Sequence, residues 1–262
     1  MKSMGGESRE VVRAPNQFGA DLFARLRGRP GNLLVSPWCL FTALAMAYEG
    51  SRGETAGQMA TTLHLPEDWG ERSAAMGNLV RGLGVEVEGE RGVEIHAANA
   101  LWCQAGYALL PGFLERVHQR YDGSLGEVDF QTAPGEACRR INEWAETNTR
   151  GRIAELIDGT QLHPLTRLLL TSAIFFKGGW SEPFVRDRTR ERPFRIAPGR
   201  EVPVSMVRNT ESFSYMEEDD LQALELPYLG GRFEMVVLLP SATDGLEDLE
   251  RKISPEQIER WG

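Results

Sequence analysis

A buried helix with a well-defined start is the most constraining feature of this chain, within a segment that reads NLLVSPWCLFTALAMAYEG over residues 32–50. A serine hydroxyl can accept a hydrogen bond from a backbone N–H at a helix start, and proline suits the first helical position because its missing N–H would lack a partner there. Ser36 and Pro37 supply this pair. From Trp38 to Tyr48 the only strongly polar residue is Thr42, so we expect a helix that is apolar all round and buried. Such a helix requires a sizeable core around it.

The composition can provide that core. The chain has 262 residues, 41% of them hydrophobic and 26% charged, which is enough for one large domain or two small ones. The 29 basic and 38 acidic side chains give a net charge of −9, and the basic residues of Arg186–Arg195 alternate with acids. This balance argues against nucleic acid or another polyanion as the main partner, while leaving room for a local basic patch.

The cysteines and the first residues carry no targeting or metal signal. Cys39, Cys103 and Cys138 form an odd set without CxxC spacing, so we expect no disulfide framework and no zinc site, and buried thiols at the first two positions. We expect a polar, disordered leader over residues 1–15. It has no apolar segment of the kind a secretory signal needs, so we expect no signal peptide. No stretch is long and apolar enough to span a membrane, so we expect no membrane partner; a cytoplasmic location is compatible with these features.

The pattern along the chain predicts an α+β fold. Helices are expected in the first half and at the end of the chain, and strands in the second half, without the alternation of βαβ units. Helices are predicted over residues 16–26, 54–64, 67–83, 109–121, 135–151, 245–254 and 255–262, strands over 93–104, 124–130 and 166–178, and a hairpin over 221–240. The strand at 166–178 is apolar on both faces, which is typical of a central strand covered on both sides. No linker interrupts residues 16–262, for which we predict a single domain.

Motifs for catalysis are missing from the sequence. It has no GxSxG, no P-loop and no GxGxxG, and its four histidines stand far apart. His96 is predicted to be a structural side chain, and the acidic run 217–220 a solvated turn. We therefore predict no enzyme, no cofactor and no metal. A hydrolase whose Ser, His and Asp come together only in space stays open as an alternative.

Five ordered motifs, together with the opening segment, resemble the serpin family of serine protease inhibitors. They are NALW (99–102), VDF (128–130), INEWAETNTRGRIAELI (141–157), LLLTSAIFFKGGWSEPF (168–184) and LELPYLGGRFEMVVLLP (224–240). The resemblance extends from Phe18 to the end of the chain, and we expect a prokaryotic type. It implies helices around a large mixed sheet A with smaller sheets B and C, incomplete at the C-terminus.

The resemblance also implies a mechanism. In serpins a target serine or cysteine protease cleaves an exposed reactive loop, which inserts into sheet A as a new strand and traps the protease. Three groups of residues are implied to serve this insertion. They are a shutter of Ser36, Pro37 and Ser172, a breach of Lys177, Gly178 and Trp180, and a helix F motif of Asn142, Trp144, Thr149 and Gly151. Ser172 departs from the family, since many serpins have Asn there.

The 262 residues include no segment resembling the family's hinge, reactive loop and scissile bond. We therefore expect a truncated sequence that by itself inhibits no protease, and association of this fragment through the strand edge at Ile174. The complete protein is expected to be a monomer. The family is mostly extracellular, so the location stays open. A non-inhibitory serpin that acts as a carrier, chaperone or storage protein is the alternative function.

Overall fold

A computed structural model describes residues 6–83, 92–121, 123–197 and 199–261. Within these residues the chain forms eight α-helices, eight strands and two short 3-10 turns, which is the predicted α+β class. The chain divides into two compact units. The first takes the described parts of Met1–Phe23, Gly31–Val85 and Ile95–Phe176, and the second those of Ala24–Pro30, Glu86–Glu94 and Lys177–Gly262. The expectation of a single domain over residues 16–262 stays a prediction.

Six helices belong mainly to the first unit. They are α1 (Gly6–Leu26), α2 (Pro37–Tyr48), α3 (Gly53–Thr62), α4 (Trp69–Leu83), α5 (Pro111–Tyr121) and α6 (Pro134–Asn148). Helix α2 begins where the sequence predicts, and its side chains Phe41, Ala45 and Met46 are fully buried. The ring of Phe41 meets that of Trp69 edge-on, with centroids 5.8 Å apart. The one departure is Leu40, which is 41% exposed, so the helix is not buried on every side.

The predicted disorder of residues 1–15 is wrong from residue 6 onward, because α1 begins at Gly6. Val11, Ala14 and Phe18 are all buried in the first unit. Their spacing of three and four residues places them on one face of a helix, a pattern that is hard to see in the sequence because polar residues lie between them. Residues 1–5 of the predicted leader lie outside the described part of the chain.

A three-stranded sheet completes the first unit. Its strands are β1 (Glu94–Gln104), β2 (Ser124–Val128) and β3 (Leu168–Lys177), in the order β2-β1-β3. β1 and β2 run parallel, with Ala100 opposite Ser124 and Gln104 opposite Val128. Helix α6 covers this sheet through Ile141, which packs with Trp102 and Phe130.

The prediction that β3 is a central strand is wrong for the described residues, where β3 forms one edge of this sheet. Its side chains Leu168, Ile174 and Phe176 are 40–44% exposed. The strand is apolar on both faces, as predicted, but it has a hydrogen-bonding neighbour on one side and incomplete cover. The apolar sequence of β3 thus indicates that both of its faces could be buried, although in this structure they are only partly buried.

The second unit contains two antiparallel sheets and two short helices. The strands β4 (Arg190–Ala197) and β5 (Arg200–Met206) form one hairpin. β6 (Tyr215–Glu218), β7 (Leu221–Pro227) and β8 (Glu234–Pro240) form the other sheet, and α7 (Leu246–Lys252) and α8 (Pro255–Trp261) follow. The predicted hairpin over 221–240 is confirmed as β7–β8. Gly230 and Gly231 have φ values of +90° and +64° in its turn, a region in which glycine carries no steric cost.

The predicted turn in the acidic run is also present. It lies between β6 and β7, at Asp219 and Asp220. Glu218 pairs with Arg260, and Asp220 pairs with Lys252. The run is therefore partly neutralised by helices α7 and α8. Within the described residues no helix is long and apolar enough to cross a membrane.

Candidate functional site

The predicted shutter residues do not form one polar cluster. The Ser36 hydroxyl accepts a hydrogen bond from the backbone N–H of Cys39 at 3.4 Å, which caps α2. Pro37 lies so close to α1 that a Cβ on Gly19 would be 2.8 Å from the proline Cβ. The Ser172 hydroxyl oxygen is buried and has no hydrogen-bond partner among the described residues. Ser36 and Pro37 thus fix the start of α2, while the hydroxyl of Ser172 stays unsatisfied.

The neighbouring Thr171 carries the polar contact on this strand. Its Oγ1 accepts a hydrogen bond from Trp102 Nε1 at 2.9 Å, which links β3 to β1. The Trp102 ring also meets Trp144 of α6 edge-on, with centroids 6.2 Å apart and planes at 86°. Sequence reasoning missed Thr171, since a threonine in an apolar run looks like any β-branched strand residue. The helix F residue Trp144 is thereby connected to β3 through one tryptophan.

Asn142 holds the segment that follows α6. Its Oδ1 accepts hydrogen bonds from the backbone N–H groups of Leu156 and Ile157 at 2.9 and 3.0 Å. Its Nδ2 donates to the Ile157 carbonyl at 2.8 Å. One amide side chain therefore satisfies three backbone groups of an irregular segment and ties it to the helix.

Thr149 and Gly151 end the same helix. The buried Thr149 hydroxyl donates to the Ala145 carbonyl at 2.7 Å and accepts from the Ile153 N–H at 2.9 Å. Gly151 has a φ of +74°, and its N–H donates to the Glu146 carbonyl at 2.8 Å, a C-terminal stop that favours glycine. The helix F motif therefore specifies a helix together with the chain reversal behind it.

The predicted breach lies at the end of β3 and just beyond it. Lys177 is the last residue of β3 and is exposed, and Gly178 follows it half-buried. Trp180 stacks on Tyr228, with ring centroids 4.5 Å apart and planes at 14°. The N–H of Ser181 donates to the Pro227 carbonyl at 2.9 Å, which fastens this segment to the end of β7. Trp180 is thus a fixed aromatic contact of the second unit.

A buried ionic cluster in the first unit escaped sequence reasoning. Glu49, which is 7% exposed, follows α2 and accepts hydrogen bonds from Arg116 Nε at 3.0 Å and from Arg120 Nη1 at 3.1 Å. The Tyr121 hydroxyl donates to Glu49 at 3.0 Å and accepts from Trp69 Nε1 at 3.2 Å. Burial, and then the negative charge of Glu49, raise the pKa of Tyr121 far above its usual range. The only indication of this cluster in the sequence is the acidic Glu49 directly after the apolar helix α2.

A second polar group supports the turn between β2 and α6. Gln104 donates to Asp129 Oδ1 at 3.0 Å and accepts from the Phe130 N–H at 2.8 Å. Hydrogen bonds from the Thr132 hydroxyl and from Gln104 are the largest causes that lower the pKa of the Asp129 carboxyl. This network is structural, because it satisfies backbone groups of its own turn.

The histidines make contacts of a structural kind. His64 pairs with Asp21 at 2.7 Å, His96 accepts from Arg150 Nε at 3.3 Å, and His163 accepts from the Leu165 N–H at 3.0 Å. No group of three or more His, Cys, Asp and Glu side chains within the described residues could hold a metal ion.

The three cysteines are free thiols. Cys39 is buried as predicted, whereas Cys103 is only half-buried, with its Sγ 3.5 Å from the Gly126 carbonyl oxygen. Burial, and then the charge of Glu127, raise the pKa of Cys103, so its reactive thiolate form is disfavoured.

The family model for serpins, described as serine protease inhibitors, matches residues 13–262. This chain belongs to the serpin family. A serpin-like protein of the archaeon Thermococcus kodakarensis is 45% identical over 254 residues, which are 97% of this chain and 58% of that protein. The leukocyte elastase inhibitor of Equus caballus is 34% identical over 262 residues, 96% of this chain and 68% of the inhibitor. The archaeal relative supports the predicted prokaryotic type.

Solved serpin structures share this fold. Emu ovalbumin superposes with a TM-score of 0.87 at 31% identity, covering 96% of this chain and 68% of the ovalbumin chain. A cleaved serpin, Serpin 42Da, gives a TM-score of 0.88 at 29% identity, covering 98% and 69%. The predicted serpin fold class is therefore confirmed. The chain spans 58% of the length of its archaeal relative, so the activity of a whole protein is a matter for proposal.

Proposed function

We propose that this serpin inhibits a serine endopeptidase by accepting its own cleaved reactive loop as a strand beside β3. The observation that carries the proposal is the edge position of β3 in the sheet of the described residues, with Leu168 and Ile174 40% and 42% exposed in a largely apolar strand. An unpaired edge of this kind offers N–H and C=O groups to an incoming strand. In our proposal the loop would come from a longer form of the protein, since the chain spans only 58% of its archaeal relative.

The chemistry of the trap follows from ordinary acyl transfer. The protease serine attacks the carbonyl of the scissile bond, the amine fragment leaves with a proton, and an ester joins the inhibitor to the enzyme. Pairing of the freed loop with β3 would then add backbone hydrogen bonds and burial that the uncleaved protein lacks. A cysteine protease would form a thioester by the same route.

The three residue groups are assigned roles in this insertion. Ser36 and Pro37 would hold the start of α2 beneath the sheet, and Ser172 would mark where the strands part. Lys177, Gly178 and Trp180 would form the breach where insertion begins, and Trp180 is held by its stack on Tyr228. Asn142, Trp144, Thr149 and Gly151 would keep α6 and its return segment on the sheet until the strand passes.

A denaturing gel tests the proposal. The product of the whole open reading frame is incubated with trypsin, chymotrypsin and elastase, with the 262-residue chain as the matched control. We expect a protease complex that survives denaturation for the whole-frame product and none for the control. Cleavage of the whole-frame product by every protease, without such a complex, would overturn the proposal.

A non-inhibitory serpin is the second candidate. It stays open because the unsatisfied Ser172 hydroxyl leaves the shutter with one polar contact fewer, which does not decide whether a loop can insert. The hinge sequence discriminates between the two functions, because small residues permit insertion, whereas bulky, charged or proline residues oppose it. Reading the DNA beyond codon 262 supplies that sequence.

A further inference from the structure

Four arginines line one open cleft of about 780 Å³ in the second unit. Arg188 ends a short 3-10 turn (Arg186–Arg188) just before β4, Arg190 and Arg192 lie at the start of β4, and Arg208 follows β5. The other side chains that line the cleft include the apolar Met206 and Val207 and the acidic Glu211. We call these four residues the arginine cleft.

Strand alternation explains why the sequence conceals this cleft. Successive side chains of a strand point to opposite faces, so the alternating order of bases and acids separates the two charges. Arg190 and Arg192 share one face of β4, and their cross-strand partners on β5 are the apolar residues Met206 and Val204. Glu191 lies on the other face, as does Arg195, which pairs with Glu201 at 3.5 Å. One face of β4 therefore carries arginines without the neighbouring acid, although bases and acids alternate along the sequence.

None of the four arginines of the cleft forms an ion pair among the described residues, although Glu211 also lines the cleft. Arg190 donates to the carbonyls of Asp187 and Thr189. Several other arginines of this acidic chain are paired with carboxylates. They include Arg72 with Asp68, Arg116 and Arg120 with Glu49, Arg139 with Glu136, Arg251 with Asp248, and Arg260 with Glu218. The cleft thus brings together four guanidinium groups that form no ion pair among the described residues, in a chain whose net charge is −9.

We propose that the arginine cleft binds an extended acidic peptide segment of a partner protein. Side chains two residues apart on a strand repeat at about 7 Å, which is also the repeat of alternate carboxylates on an extended peptide. Guanidinium groups bind carboxylates through paired hydrogen bonds, and the apolar side chains that line the cleft suit the intervening side chains of a peptide. A long polyanion matches less well, because it would extend from the cleft over a negatively charged protein.

Fluorescence anisotropy of a labelled (Glu-Val)4 peptide against the whole 262-residue chain tests this proposal. We expect binding at 50 mM salt that weakens at 200 mM, and no binding of the matched (Gln-Val)4 peptide. The triple variant Arg188→Gln, Arg192→Gln, Arg208→Gln should bind at least about tenfold more weakly, because three groups that can pair with the peptide carboxylates are lost. The control removes the same charge elsewhere, with Arg195→Gln, Arg139→Gln and Arg251→Gln, and should change the affinity less than twofold. Circular dichroism confirms that both variants are folded.

Three outcomes would overturn the proposal. One is equal loss of binding in the triple variant and its control, which would mean that only net charge matters. Another is equal binding of the Glu and Gln peptides. The third is binding of dextran sulfate that depends on the arginine cleft while the Glu peptide fails to bind, which would assign the cleft to polyanions instead.

Discussion

At the scale of single residues, Thr171 and Ser172 are neighbours on β3, and their hydroxyls differ in whether they are hydrogen-bonded. Thr171 accepts from Trp102 Nε1, whereas the buried Ser172 hydroxyl lacks a partner among the described residues. A buried polar group without a hydrogen bond costs free energy, and a made hydrogen bond between buried groups contributes to stability. The two positions should therefore respond to loss of the hydroxyl with opposite signs.

We predict that Ser172→Ala leaves the free energy of unfolding unchanged or raises it by up to about 1 kcal/mol. Thr171→Val should lower it by about 1–2 kcal/mol, because Trp102 Nε1 is left buried and unpaired. Urea unfolding of the two variants beside the parent chain measures both changes. A loss of stability in Ser172→Ala as large as that in Thr171→Val would contradict the assignment of the two hydroxyls.

Tyr121 predicts a loss of stability at high pH. In the folded state the pKa of Tyr121 is raised by burial and by Glu49. In the unfolded chain the Tyr121 hydroxyl ionises near the ordinary tyrosine pKa of about 10. The stabilisation is therefore fully present below pH about 10 and is lost as the pH rises through the folded pKa. Stability measured from pH 8 to 11 should fall more steeply in the parent than in Tyr121→Phe, which retains the ring. Equal slopes would show that the buried hydroxyl does not cause the decline.

At the scale of elements, α6 and the segment behind it depend on Asn142. We predict that Asn142→Ala lowers the free energy of unfolding by about 2–3 kcal/mol, because three backbone groups of residues 156–157 lose their partners. Asn148→Ala is the control, since this amide makes one bond, to the Trp144 carbonyl at 2.8 Å, and should cost less than about 1 kcal/mol. If both variants lose the same stability in urea, Asn142 does not have the proposed role of holding the return segment.

The edge of β3 gives a prediction for the 262-residue chain alone. Exposed apolar edges pair with other chains, and a charge on the edge prevents this. We expect concentration-dependent association by sedimentation velocity, and we expect Ile174→Lys to reduce it. Leu165→Lys is the control, because Leu165 is 71% exposed but lies outside the strands. Equal effects of the two lysines would place the contact elsewhere.

Elements whose signals are local were predictable from the sequence. Helix α2 begins at Pro37 as the capping pair Ser36-Pro37 indicates, and the β7–β8 hairpin follows its Gly-Gly turn. Features that depend on distant residues were missed. Glu49 meets Arg116 and Arg120, which lie 67 and 71 residues along the chain, and β3 has the composition of a central strand but the position of an edge. The composition of a strand indicates how much burial it tolerates, whereas the strands beside it are determined by the topology of the sheet.

At the scale of the whole molecule, the serpin family assignment makes the free edge of β3 the central feature of the proposed function. The strand combines an apolar character on both faces with a vacant side in the sheet of the described residues. In our proposal these two properties belong together, because a strand that must later become central needs a sequence that tolerates full burial. In our proposal, β3 would become a central strand, as the sequence predicts, once the cleaved loop has inserted beside it.

Hydrogen–deuterium exchange of the β3 amides tests this claim most directly. The whole-frame product is measured before and after reaction with the protease that forms the denaturation-resistant complex, and peptides covering Leu168–Lys177 are compared with peptides covering β7. We predict that β3 exchanges more slowly in the complex, because a new strand pairs with its free N–H groups, while β7 is unchanged. Exchange of β3 that stays the same in the trapped complex would contradict insertion beside this strand.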